Sequence, residues 1–389
     1  MIITPENTII VSRRAIEFWS PKKKIYFNFG GNATRVGTNC GCCWPKEVHF
    51  VKIRKSDMRL TGVGRTLFSD RRYGVEGLAI AGTDLYTTVN NSTELNEGES
   101  LYKWDISGDG CKLSDTIVIS GINNGYEIDS DGTSLYGRFT HYDPEGSTYY
   151  IGKYTSGGSM DWTNSFTTYA VGWSCGGNHH PVVVGGGLYV GGAFNSPASM
   201  IRKYSLGGSL LWDSEDCLSN RVCQYLLVDA DIIYQGGRHS GRPCYSHWGK
   251  LPLSGCPYSW NSSTKDYALM CNGDSASFLA YEYDGTGYVK LCLRTNGNVF
   301  ATKSLGDWKV RTAGTGVYLD GDYWFPVWDY DLVSGFQARI AQLDLSPFTV
   351  TFHEITNFPM PQAQLGQWNN FLYDNGYFYW STDDWWNMR

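Results

Sequence analysis

The chain has 389 residues and a formal net charge of −6, with 46 Gly, 27 Tyr, 17 Phe and 15 Trp but only 18% charged residues. The acidic balance argues against a nucleic-acid binder, which needs a basic face for phosphate, and the short cluster Lys22-Lys23-Lys24 reads as a solvated turn. No apolar run reaches the roughly 18 residues of a spanning helix, and no long stretch carries a helical period, so glycine for tight turns and aromatics for pleated surfaces point to an all-β chain.

Residues 1–45 come first and stand outside any repeat. They include Asn28-Phe29-Gly30-Gly31-Asn32 and Cys40-Gly41-Cys42-Cys43-Trp44-Pro45. They read either as an arm that covers one face of the following domain or reaches a neighbour, or as a loop packed on that domain. Arg13-Arg14 arrives before any apolar core of a secretory signal forms, so no signal peptide is expected.

From residue 46 to 389 the sequence repeats. Ile151-Gly152-Lys153-Tyr154 followed by Gly157-Gly158-Ser159-Met160-Asp161-Trp162 returns as Ile201-Arg202-Lys203-Tyr204 followed by Gly207-Gly208-Ser209-Leu210-Leu211-Trp212, 50 residues later. Each reads as strand, glycine turn, strand. Similar units centre on Ile53, Trp104, Tyr154, Tyr204, Leu251, Phe300 and Leu343, at spacings of 51, 50, 50, 47, 49 and 43. A second series of hairpins has turns at Ala81-Gly82-Thr83-Asp84, Ser130-Asp131-Gly132-Thr133, Gly185-Gly186-Gly187 and Asp229-Ala230-Asp231. It continues at Asp284-Gly285-Thr286-Gly287, Asp320-Gly321-Asp322 and Asp374-Asn375-Gly376. A tyrosine follows each turn: Tyr86, Tyr136, Tyr189, Tyr234, Tyr288, Tyr323 and Tyr377. Such turns accept the left-handed φ that tight hairpins need.

Two hairpins per unit make four-stranded sheets, and their phase is informative. The first unit, about Glu47 to Gly62, lacks a preceding hairpin, and the last hairpin, about Asn369 to Thr382, lacks a following one. Joined, they complete one sheet from both ends of the chain. The expectation is a seven-bladed β-propeller with its ring closed by N- and C-terminal strands in one blade. The alternative has eight blades, with Ile16-Glu17-Phe18-Trp19 and Lys24-Ile25-Tyr26-Phe27 in another sheet.

The run Gly187-Leu188-Tyr189-Val190-Gly191-Gly192-Ala193-Phe194, with Arg202-Lys203-Tyr204, Gly208-Ser209-Leu210 and Trp212, resembles the delta-type and quinoprotein-like propeller repeats. The resemblance is good over two units. Such repeats occur in bacterial envelope proteins and in phage tail or fibre proteins, so it implies the fold and, by analogy, a virion setting.

No nucleophile elbow, HExxH, Walker loop or dinucleotide fingerprint is present. His179-His180 near Cys175 reads as a surface pair, since adjacent strand residues face opposite ways. Asp129-Ser130-Asp131-Gly132 and Asp320-Gly321-Asp322 resemble calcium loops but suffice as turns. Ser130-Asp131-Gly132-Thr133 also resembles the structural Asp-box of sialidase propellers. Trp162, Trp212, Trp260 and Trp308 recur where outer strands pack between blades, as core aromatics. The eleven cysteines, an odd number at irregular spacing, read as mostly free, buried thiols.

The C-terminal segment is harder to absorb, because Trp380, Trp385 and Trp386 crowd an end that would ordinarily fray. With Trp44 they form the candidate partner-binding set. They wedge against the closing blade, stack on sugar rings or dock on a second subunit. The expected function is a structural or adhesive virion protein: a phage tail, fibre or decoration component, assembled in a host cytoplasm and binding assembly subunits. A cell-surface glycan or receptor is a second kind of ligand. No catalytic residue, metal or cofactor is expected, and no nucleic acid or membrane span. The alternative is a carbohydrate-active or quinoprotein-like propeller enzyme.

Overall fold

The computed structural model describes residues 2–3, 8–12, 15–18, 26–29, 32–35, 48–65, 75–89, 101–117, 124–143, 146–155, 160–166, 181–195, 198–214, 221–238, 247–257, 259–262, 268–283, 286–310, 316–331, 335–357 and 370–381. Seven four-stranded antiparallel sheets, the blades, carry the described chain beyond residue 47. Strands a to d run in chain order within each blade. Blade 1 is Val75–Ala81, Asp84–Val89, Leu101–Asp105 and Lys112–Ile117; blade 2 is Asn124–Ser130, Ser134–Asp143, Gly146–Thr155 and Met160–Phe166. Blade 3 is Pro181–Val184, Gly187–Asn195, Ala198–Ser205 and Leu210–Asp213; blade 4 is Arg221–Val228, Asp231–Arg238, His247–Pro252 and Trp260–Ser262. Blade 5 is Ala268–Asn272, Ser277–Tyr283, Gly287–Leu293 and Val299–Gly306; blade 6 is Val317–Leu319, Asp322–Asp331, Gly335–Leu345 and Phe348–Glu354. Blade 7 takes strands a and b from Phe371–Asp374 and Tyr377–Ser381, and strands c and d from Val48–Arg54 and Arg59–Arg65.

Each a strand contacts the a strands of both neighbouring blades, and the seventh returns to the first. The a strands therefore wall the centre of a closed seven-bladed propeller. Closure is as the phase of the hairpins requires: Phe378 pairs with Ile53 and Trp380 with Val51. The eight-bladed alternative does not hold. Ala15–Phe18 lies in a three-stranded sheet with Ile2–Ile3 and Thr8–Ser12, and Tyr26–Phe29 pairs with Asn32–Arg35 in a two-stranded one.

Blade 5 corrects the sequence reading. Its a–b turn lies between Asn272 and Ser277, where Asp274 Oδ1 accepts from the Ala276 and Ser277 amides. Asp284-Gly285-Thr286 instead joins strands b and c, so Tyr288 lies on strand c and Phe300 on strand d. Turn chemistry is alike at both ends of a strand, and here two glycine turns lie within one unit. Elsewhere the turns fall where expected. Asp320-Gly321 and Asn375-Gly376 both have positive φ at their two central residues, the mirror-type turn that suits strand twist.

Asp131 shows how such a turn is held. It accepts hydrogen bonds from the Thr133 and Ser134 amides, the Thr133 hydroxyl and the Tyr136 hydroxyl, at 2.7–2.8 Å. Burial opposes its charge, but these donors together outweigh it and pull its pKa down to about 2. A depressed carboxylate contributes stability above its unfolded value, about 3.9, and loses it as pH falls toward the folded one. Acid unfolding is therefore expected to steepen between about pH 4 and 2, and Asp131→Asn should flatten that limb of a pH-dependent melting series.

The blades are locked to each other by a recurring device. Trp162, Trp212 and Trp260, on strands d of blades 2, 3 and 4, donate Nε1–H to the c–d turn carbonyls of Leu206, Leu253 and Arg294 in the next blade, at 3.0–3.1 Å. Each indole lies over a turn glycine with positive φ: Gly208, Gly255 and Gly297. A Cβ on Gly208 would come within 2.7 Å of the Trp162 ring, so the turn must be glycine for both backbone and space. Trp308 departs from this pattern and stacks on Phe352 of blade 6, with ring centroids 5.4 Å apart.

Blade 7 is fixed to blade 1 differently. The buried Lys52 ammonium donates to the carbonyls of Ile106 and Gly108 and lies 4.1 Å from the centre of the Tyr377 ring. Lys52→Met would leave both carbonyls without that donor, and a loss of about 1–3 kcal/mol is expected from denaturant midpoints. Lys153→Met, which removes a half-exposed pair with Asp161, should stay within about 0.5 kcal/mol. Loss of the same size for both would deny Lys52 its role as a clamp.

Candidate functional site

An up-and-down blade sorts its connections onto two sides. The a–b and c–d turns lie together at one end of the strands, and the b–c and d–a connections at the other. On the turn side the a–b connections are two to four residues long, from Gly82-Thr83 to residues 273–276. On the loop side the d–a connections run from five residues, 263–267, to sixteen, 355–370. Long connections carried by a rigid scaffold are where binding residues concentrate.

Both ends of the chain also meet the propeller on the loop side. Strand c of blade 7 begins there at Val48 and strand b ends there at Ser381, with Ser381 paired to Phe50. Trp44 stands four residues before Val48, and Trp385 and Trp386 stand four and five after Ser381. All three lie outside the described residues.

Trp380 requires a correction. It is fully buried between blades 6 and 7, packed with Val51, Ile53, Trp324, Ile340, Phe371 and Phe378, and presents no surface to a partner. Strand alternation explains this: Phe378 and Trp380 share the face that meets blade 6.

The other sequence candidates resolve into structural roles where they are described. Asp129 accepts from the Val183 amide of blade 3 at 2.7 Å, which ties two blades together. Asp320 pairs with Lys55 at 2.9 Å, and Asp322 accepts from Gln342. Cys175, His179 and His180 lie outside the described residues. Among the described residues no group of three or more His, Cys, Asp or Glu is placed to hold a metal. Cys111, Cys223, Cys271 and Cys292 are free and buried, and burial pushes the Cys111 thiol up to about 12. Cys256 is disulfide-bonded, so the thiols are not uniformly free.

Two features were not singled out in the sequence. A lysine stands on strand c of six blades, at Lys52, Lys103, Lys153, Lys203, Lys250 and Lys290, each just before an apolar residue. Lys103 and Lys203 lie 6.0 and 5.0 Å from the ring centres of Tyr86 and Tyr189, the repeated strand b tyrosines. Its period was legible, but pairing with tyrosine depends on cross-strand register. The second feature is Glu127, on the inner strand of blade 2 beside a register shift at Gly125/Ile128. It is 8% exposed, and among the described residues its Oε2 has no hydrogen-bond partner. Nothing local in the sequence marks it, because the shift arises from pairing.

No family model and no curated protein sequence matches the chain. Solved structures similar in shape include the C-terminal WD40 domain of Sif2, at 10% identity and a TM-score of 0.46 over 87% of this chain and 97% of that one. Sqt1 from Chaetomium thermophilum is 10% identical with a TM-score of 0.41, covering 80% of this chain and 75% of that one. Kuenenia stuttgartiensis hydrazine synthase is 10% identical with a TM-score of 0.35, covering 74% and 68%. Likeness of this degree carries no functional argument, and the propeller assignment rests on the strand pairing of the chain itself.

Proposed function

We propose that the protein is a structural, partner-binding propeller of a virion, a phage tail, fibre or decoration component that docks through its loop side. The observation that supports this reading is that strand c of blade 7 begins and strand b ends on the loop side, the side of the long d–a connections, opposite short, internally bonded turns. Trp44, Trp385 and Trp386 are the proposed contacts, since tryptophan is favoured at the buried centres of interfaces. The partners are other assembly subunits, with a cell-surface glycan or receptor as a second kind of ligand on the same side. The proposed setting is a particle assembled in a host cytoplasm, and the propeller needs no chemistry of its own for this work.

Truncation tests the reading. Chains lacking residues 1–45 or 383–389 should keep a β-rich circular dichroism spectrum and a cooperative melt, yet fail to enter the particle or oligomer formed by the full chain. A truncated chain that assembles normally would refute the proposed contacts. Glycosidase turnover, or a quinone bound over the central channel, would favour the enzyme alternative instead.

A further inference from the structure

We infer that the ring has one soft seam, between blades 6 and 7, and that the propeller opens there first. The other seams differ in what crosses them. Blades 2–3, 3–4 and 4–5 each carry the tryptophan-to-turn lock, and blades 4–5 add the buried Arg294–Asp231 pair. Blades 5–6 are joined by the Ser277–Tyr323 hydrogen bond and by Lys303 reaching the Phe348 carbonyl. Blades 7–1 have the Lys52 clamp and the buried His49–Thr87 bond. Blades 1–2 are closed at their a–b turns by the Gly82 amide bonding the Gly132 carbonyl.

At blades 6–7 the described polar links are peripheral. Lys55 pairs with exposed Asp320 and lies 5.1 Å from the centre of the Trp324 ring, and Thr356 exchanges backbone bonds with Met58 and Leu60 next to the c–d turn of blade 7. Inside the seam, Trp324 and Trp380 are buried with 6% and 0% exposure, and among the described residues neither indole Nε1–H has an acceptor. In the tryptophan locks the same kind of donor, on strand d rather than strand b, has a turn carbonyl as acceptor. A buried donor without an acceptor disfavours the closed state and is relieved when water enters. A buried group of this kind is not confined to seam 6–7: the Tyr154 hydroxyl lies at seam 1–2, which has its backbone bond at the inner wall. The connection across seam 6–7, residues 355–370, is also the longest of the d–a series, so it restrains the two blades least.

Hydrogen exchange on the intact chain, followed by mass spectrometry, tests this. Amides of Phe371–Asp374 and Tyr377–Ser381 are expected to exchange about tenfold faster than those of Arg221–Val228 and Asp231–Arg238, which lie in the locked arc. Equal or slower exchange in blade 7 would overturn the inference. A cross-linked variant adds a second readout. Arg59 and Thr356 pair across the seam, so the Arg59→Cys/Thr356→Cys chain can be bridged there and the bridge identified by mass. Oxidation should slow blade 7 exchange toward the rate of the locked arc, and reduction should restore it. A formed bridge that leaves blade 7 exchange unchanged would also overturn the inference. If the bridge does not form, the wild-type pattern decides alone.

Discussion

Trp212→Ala should cost about 3–5 kcal/mol, among the largest losses of any single side chain in the propeller. Three things go together in that substitution. The indole fills the seam between blades 3 and 4, its ring edge lies on Tyr189 with centroids 6.4 Å apart, and its Nε1–H satisfies the Leu253 carbonyl at 3.1 Å. The glycine below offers no way to collapse into the gap, since Gly255 is held at a φ of +98°. Neighbouring Leu211 is the internal control. It is 54% exposed, and Leu211→Ala should change stability by no more than about 0.5 kcal/mol. Guanidinium unfolding of the two variants decides the point. Similar midpoints would mean that the seam is not held by the tryptophan.

The second large effect is expected at Arg294. Its guanidinium is 1% exposed and lies on the c–d turn of blade 5, from where it reaches back to Asp231 of blade 4. Nε and Nη2 both donate to Asp231 Oδ1, and Nη1 donates to Asn272 Oδ1 at 2.9 Å. Lys250 holds the other oxygen of the same carboxylate. Removing one partner of a buried pair costs about 3–5 kcal/mol, mostly because the remaining charge stays buried. Arg294→Met is therefore expected to destabilise by that amount, and Asp231→Asn comparably, because the amide keeps one acceptor oxygen where the carboxylate has two and turns its NH2 toward the other cation. A double-mutant cycle measures the coupling. A coupling energy near zero would show that the pair contributes only its packing.

The propeller was legible because its determinants are local. A period near 50 residues, glycine and aspartate turns, and a tyrosine after each turn fix strand order without any long-range information. The phase of the hairpins even gave the closure, since only one arrangement leaves no half blade over. Blade 5 was misread where two glycine turns compete within one unit, and choosing between them needs the strand pairing. The candidate site was less legible. Trp380 reads in the sequence as part of an aromatic tail, but it lies within strand b of the closing blade and belongs to the core with Phe378. Lys52 and Arg294 act across seams, and a contact between blades leaves no mark in either blade's own pattern. The asymmetry between turn side and loop side follows from connection lengths, which become readable only when every strand has its place.

The most direct test of the proposed docking surface is electron cryo-microscopy of the native assembly that contains this chain. The expected map shows the loop side of the propeller, at the blade 7 end where residues 1–45 and 382–389 join it, buried against neighbouring subunits. The short turns around Asp131, Asp320 and Asn375 should face solvent. A map in which the turn side makes the contacts, or in which the chain stands alone with a ligand seated over its channel, would contradict the proposal.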